Sequence, residues 1–295
     1  MADETTAVNQ RRIESIIASV PASDGAGVKL RRSLGRAQDL RHDPFLMLDE
    51  FFSDNPDDYL AGFPTHPHRG FETVTYMLDG RMRHEDSGGN RGDLGPGDVQ
   101  WMTAARGIIH SEMPQQTQGR MRGFQLWLNL PAAEKMRPAA YRDIPKENIP
   151  SVDLPGIGTV RVIAGAFIHA AGRTVGPIGG GTTEPVFLDL RLAPYASLEV
   201  PLPAGHNAFV YAYDGLVAIG PDRRLLPHRA AGLLSGGDAV SVAAGKEGAG
   251  LLLLAGKPLR EPVVQYGPFV MNSWEEIERA VLDYQRGQLL GPPGA

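Results

Sequence analysis

Two short strings recur in this chain. VTYMLDG (74–80) is echoed by VYAYDG (210–215), and LGPGDV (94–99) by LSGGDAV (234–240). In each a strand-like run and a tight turn lie side by side. Self-similarity of this kind limits the fold more than any single motif, because each copy is one supersecondary unit with its own apolar face to bury. Two copies of one β unit are therefore expected. The rest of the pattern agrees. Residues 71–78, 98–104, 123–130, 159–165, 185–192 and 207–215 alternate with the period of strands. The 36 glycines and 24 prolines supply the turns that many short strands require. Residues 131–160 are richer in proline and charge and read as the connection between copies, with a short helix near Ala132–Met136. One longer helix is expected near the end. Ser273 and Glu276 have the spacing of a capping box, Ile277, Ala280, Val281 and Tyr284 form a helical stripe, and Gly287 is a stop.

The bulk chemistry removes several classes of function. A formal net charge of -5 is not the basic surplus of a nucleic-acid binder. The local run KLRRSLGR (29–36) reads as a solvated strand face. With no cysteine, disulfides, thiolate ligands and a thiol nucleophile are excluded. The most apolar tract, LLLLA at 251–255, is far too short to span a bilayer. The opening MADETTAVNQRR lacks the apolar core of a signal peptide. A cytoplasmic protein with neither nucleic acid nor membrane as partner is the expectation. Walker A, H-E-x-x-H and G-x-S-x-G patterns are absent.

The chemistry concentrates in two places. GFPTHPHRGFETVTYMLDG (62–80) holds His66 and His68 one residue apart, with Glu72 four residues on, and RGIIHSEMP holds His110 and Glu112. Strand side chains two apart share a face, so each pair points one way, and Glu72 has the parity of the first pair. Two neighbouring strands of a small barrel can aim four or five such groups at one point. Imidazole with carboxylate, and no thiolate, suits Fe(II), Mn, Ni, Cu or Zn. The second copy is an internal control. Aligning Val74 with Val210 sets Leu202 and Ala204 opposite the first histidine pair, and aligning Asp98 with Asp238 sets Gly250 and Leu252 opposite His110 and Glu112. The scaffold is thus expected to form without these polar groups, and the first copy carries them for another reason. His84 is out of register with both pairs and reads as a loop or surface group.

DPFLMLDEFF (43–52), THPHRGFETVTYML (65–78), GDVQWMTAARGIIHSEMP (97–114), GLVAIG (215–220) and LREPVVQYGPFVMN (259–272) closely resemble the pirin family, and the resemblance spans nearly the whole chain. It implies an all-β bicupin: two face-to-face double-stranded β-helix (jelly-roll) barrels with a C-terminal helix. The N-terminal cupin, 1–135, would bind metal, and the C-terminal one, 136–295, would be metal-free and carry the helix. The resemblance implies one divalent ion per chain on His66, His68, His110 and Glu112, iron(II) first, with Ni, Cu, Mn or Zn as alternatives. A general cupin pattern would take Glu72 as the carboxylate ligand. The closer family puts Glu112 on the ion and leaves Glu72 to hydrogen-bond the ligating histidines.

The same resemblance implies quercetinase chemistry, in which a flavonol such as quercetin is cleaved with O2 and carbon monoxide leaves. Glu112 is the expected acceptor of the substrate's 3-hydroxyl proton. Phe51, Phe63, Trp101 and Met113 are the expected wall of a pocket for a flat polyphenol, with Phe71, Met102 and Trp127 as further candidates. The alternative is a redox- or metal-sensing regulator acting through contacts with another protein; a metal-bound isomerase or storage-like cupin is a weaker third.

Overall fold

The computed structural model describes residues 8–37 and 40–291, so the reading of the chain's first seven residues lies outside it. Among the described residues, apart from short 3-10 turns and one α-helix, the regular structure is β-strand. The chain groups into two compact units, Met1–Ser19 with Ile149–Pro258 and Val20–Asn148 with Leu259–Ala295. A single cut at 135/136 therefore misassigns both chain ends. Strand pairing gives the reason. Ile13–Ala18 pairs antiparallel with Ala230–Leu234, in the sheet of the second repeat. Phe269, Met271, Ile277 and Ala280 pack against Ile109 of the first repeat.

The repeat is visible in the order of strands. One sheet runs Ala140–Ile144, Val99–Thr103, Phe71–Asp79, Met121–Asn129, Phe45–Ser53, Val28–Arg32, Val20–Asp24. The other has the same path: Ile13–Ala18, Ala230–Leu234, Asn207–Ile219, Ala239–Gly256, Val186–Leu192, Gly158–Ala164, Ser151–Leu154. Val74 lies across from Leu126 as Val210 does from Leu253, so that part of the sequence alignment holds. The other part is displaced by a strand. LSGGDAV leads into the start of Ala239–Gly256, which pairs with Ser197–Pro201. Its counterpart in the first repeat is Ile108–Pro114 paired with Phe63–His68, not Val99–Thr103. The two turn strings are alike because both launch a strand, not because they occupy the same place. The true counterparts, Ser197–Pro201 and the start of Ala239–Gly256, contain no histidine.

Among the described residues both long sheets are open paths with two edges, rather than the closed barrels expected from the resemblance. In the first repeat the strands bearing His66, His84 and His110 form a separate four-stranded sheet, Phe63–His68, Ile108–Pro114, Met82–Asp86, Arg91–Leu94. This is a sandwich, and it leaves room between its two sheets. Alternation decides what lines that room: Val28, Leu30, Phe51, Met77 and Met121 bury one cluster at its end, each apolar side chain contributing roughly 1.5–3 kcal/mol.

The C-terminal helix is Trp274–Gln285, with the expected reciprocal cap: Ser273 accepts from the Glu276 backbone and Glu276 accepts from the Ser273 backbone. The chain leaves it at Gly287, φ +68°. The short helix foreseen near Ala132 is a 3-10 turn, Ala132–Glu134. Among the described residues no helix is long and apolar enough to cross a membrane.

Candidate metal centre

Antiparallel pairing sets His110 opposite His66 and Ile108 opposite His68, with a register shift between His110 and Glu112. Period-two alternation then sends both histidines of the first strand and His110 of the second to one side. The ring centroids lie 4.7 Å (His66–His68), 4.3 Å (His66–His110) and 4.9 Å (His68–His110) apart. One ring nitrogen from each comes within 4.8 Å of the others. Phe71 and Trp127 pack edge-on against His68, at 5.1 and 5.3 Å between centroids, and hold its ring.

The proton positions follow from the partners. His66 Nδ1 lies 2.8 Å from the Pro64 carbonyl, so it carries the proton and leaves Nε2 a lone pair. That Nε2 is 3.0 Å from His68 Nε2. His110 Nδ1 lies 2.7 Å from His84 Nε2, and His110 Nε2 is buried with no hydrogen-bond partner. Burial, then the neighbouring imidazoles, hold the pKa of His68 and of His110 well below the usual histidine value. These rings are neutral lone-pair donors, the form that binds metal. Clustered acceptors with an orphaned buried nitrogen are costly in an apolar wall, and a cation relieves that cost. The donor set fits a divalent ion.

Glu112 is buried beside this cluster. Thr75 Oγ1 donates to its Oε1 at 2.9 Å and is itself 2.6 Å from the Gln125 side chain. His84, Glu112 and His110 make a second ligand-competent group, so His110 belongs to both. His84 is therefore no surface residue: it is buried on Met82–Asp86, directly across from Glu112. The signal was available, since Met82 and His84 share a parity and Met82 is apolar. The register was lost across the Gly80 turn.

Glu72 does not join them. Gly70, at φ +94°, resets the alternation between His68 and Phe71, so parity counted from His68 fails. Thr75 faces Glu112, hence Glu72, three residues away, faces the other side of its strand. There it accepts from Thr103 at 2.6 Å and lies 3.5 Å from Arg137. Burial raises its pKa despite hydrogen bonds from Thr103 and Trp101 and the nearby Arg137 charge.

A cavity of about 780 Å³ opens beside the cluster, with His66, His68 and Glu112 in its wall. Met47, Phe51, Phe63 and Trp127 share the lining with polar groups that include Arg32, Asp49 and Gln125. Phe51 fits because it crosses Gly123, where a Cβ would lie 2.4 Å from its ring. Trp101 and Met113 are not in the wall. Trp101 pairs with Val74, on the Glu72 face; Met113 follows Glu112, and the alternation that turns Glu112 inward turns Met113 out. Met102 and Phe71 are buried but do not line the cavity.

Comparison with known proteins agrees with this geometry. The family model described as Pirin matches residues 27–128, and that described as Pirin C-terminal cupin domain matches 187–290. A Pseudomonas aeruginosa protein named "Putative quercetin 2,3-dioxygenase" is 55% identical over 91% of this chain and 94% of its own. Human pirin is 42% identical over 95% of this chain and 94% of its own. The crystal structure of a quercetin 2,3-dioxygenase from Acinetobacter baumannii superposes with a TM-score of 0.84 at 32% identity, covering 95% of this chain and 98% of that one. Matched in both halves and over nearly its full length, the chain belongs to the pirin family.

Proposed function

We propose that the chain is a metal-dependent dioxygenase of the quercetinase type, cleaving a flavonol such as quercetin with O2. One observation carries this reading: two imidazoles of the cluster, His66 and His68, stand with Glu112 in the wall of a roomy cavity that Met47, Phe51, Phe63 and Trp127 also line. A pocket of this kind suits a flat organic molecule, and the names of the Pseudomonas and Acinetobacter relatives point to the same substrate class.

His66, His68, His110 and Glu112 would hold one divalent ion, iron(II) first, with Ni, Cu, Mn or Zn as alternatives. Such an ion, when bound, lowers the pKa of a coordinated hydroxyl and lets O2 and the organic substrate meet. The protein's own groups do the rest. Glu112 accepts the proton of the substrate's 3-hydroxyl. Thr75, backed by Gln125, fixes that carboxylate by hydrogen bonding. Phe51, Phe63 and Trp127 flank the rings of the flavonol and keep water from the reacting carbons while the central ring opens and carbon monoxide leaves.

The test is direct. The purified protein is loaded with Fe(II) without air, quercetin and then air are added, and the flavonol's visible absorbance is followed. Absorbance decays with the wild type and persists with His66→Ala/His68→Ala. Persistence in the wild type with every candidate metal rejects the enzyme and favours the regulatory reading.

A further inference from the structure

His84 has no task in the reaction above, yet it is the best-held group behind the cluster. It is 2% exposed, with Nε2 2.7 Å from His110 Nδ1 and 3.8 Å from Glu112 Oε1. Its ring stacks on Tyr141, 17° from parallel with centroids 6.1 Å apart. The Tyr141 hydroxyl donates to Asp143 at 2.7 Å, and the Gln100 amide donates to the same carboxylate at 2.8 Å. The stacking partner is thus fixed from behind.

We infer that His84 is a positioning residue that sets the tautomer and ring orientation of His110, an inference that rests on the metal-centre reading. Two ring nitrogens 2.7 Å apart share one proton. For His110 to present its Nε2 lone pair to an ion, that proton must sit on His110 Nδ1 and His84 Nε2 must accept it. His84 is then the Nδ1–H tautomer, and its Nε2 lone pair is committed to His110 rather than to the ion. His66 shows the same arrangement with the Pro64 carbonyl as acceptor. A carbonyl is held by the backbone. An imidazole must be held by packing, and burial against Tyr141 supplies it.

Three variants separate this role from a structural one. His84→Phe keeps the ring volume and the stack on Tyr141 but removes the acceptor. His84→Asn is polar but too short to reach His110. His84→Gln carries an acceptor oxygen at the reach of the lost Nε2. Co(II) is the probe: affinity by competition with a chelator, ligand geometry by its visible spectrum, and apo-protein melting as the check on folding. His84→Phe and His84→Asn should bind Co(II) about 10- to 100-fold more weakly, the usual cost of losing such a partner, with altered bands. His84→Gln should restore both affinity and spectrum. If all variants match the wild type, the inference fails while the metal centre stands. If all three, His84→Gln included, lose binding together, His84 is a ligand and the inference also fails. If the wild type binds no Co(II), the metal reading itself is wrong.

Discussion

At the scale of single residues, Glu72 is where pattern and structure part. Its spacing from His68 suggests a partner for the histidines, but Gly70 turns it to the face of Thr103 and Arg137. Its carboxyl pKa is raised by burial, which dictates the sign of a pH effect. A group whose folded pKa lies above its unfolded value contributes stability in full below the unfolded value, 4.5, and loses it as pH rises through the folded one. Glu72→Gln keeps an acceptor for Thr103 and cannot ionise. The stability of Glu72→Gln relative to wild type, from urea midpoints, should therefore increase as pH rises above 4.5, and metal affinity should not change. A marked loss of metal affinity would return Glu72 to the histidines. His66 and His68, and His110 and Glu112, could be read as pairs from the sequence because H-x-H and H-x-E keep parity within a strand, where no turn intervenes. His84 and Glu72 were misread for one reason: parity does not survive a glycine turn, and each lies beyond one.

Elements place those residues, and the Arg69–Gly70 corner does most of this. Arg69 follows His68 directly and is buried; Nη1 donates to Asp283 of the C-terminal helix at 2.9 Å and Nη2 to the Leu289 carbonyl at 3.0 Å. Gly70 passes so close to the strand Phe269–Met271 that a Cβ would lie 1.9 Å from the Val270 carbonyl oxygen. Lys135 Nζ ties the same corner, donating to the carbonyls of Gly70 and Val270 and to Asn129. The burial of so much charge is compensated by these bonds, and Arg69 braces the corner. Gly70→Ala meets both a left-handed φ and a clash with backbone that cannot give way. It should cost roughly 2–4 kcal/mol, strain and overpacking together, and should weaken metal binding because His68 is two residues away. Gly205→Ala, where a Cβ meets open space, is the control and should change stability by less than about 0.5 kcal/mol. Chemical denaturation with and without Co(II) reads both. The strands and the capped helix were legible because periodicity and capping are local. The corner was not, because it joins residues 69–70 to residues 268–289.

That long-range exchange also governs the molecule as a whole. The sequence repeat invites a linear division, yet the chain's first strand belongs with the second repeat and its last 37 residues with the first. Repeat detection sees which strands resemble one another; it carries no information on which edge a terminal segment will join. The consequence is testable by truncation. A chain ending at Pro258 loses Phe269, Val270, Met271, Ile277, Ala280 and Leu289 from buried clusters that include Leu46, Phe71 and Ile109. It also leaves buried Arg69 without Asp283. At roughly 1.5–3 kcal/mol per buried side chain, the apolar loss alone is comparable with the whole stability of a domain, about 5–15 kcal/mol. The unit that holds the histidines should therefore fail to fold, although every one of those histidines is still present. The other unit keeps all of its strands. Hydrogen exchange on the truncated chain should show protection lost across Phe71–Asp79 and Met121–Asn129 and retained across Val186–Leu192, with Co(II) binding abolished. A linear arrangement predicts the reverse: metal binding intact and protection lost from the C-terminal repeat. The result therefore distinguishes a metal centre assembled by the first repeat alone from one that needs the far end of the chain to stand.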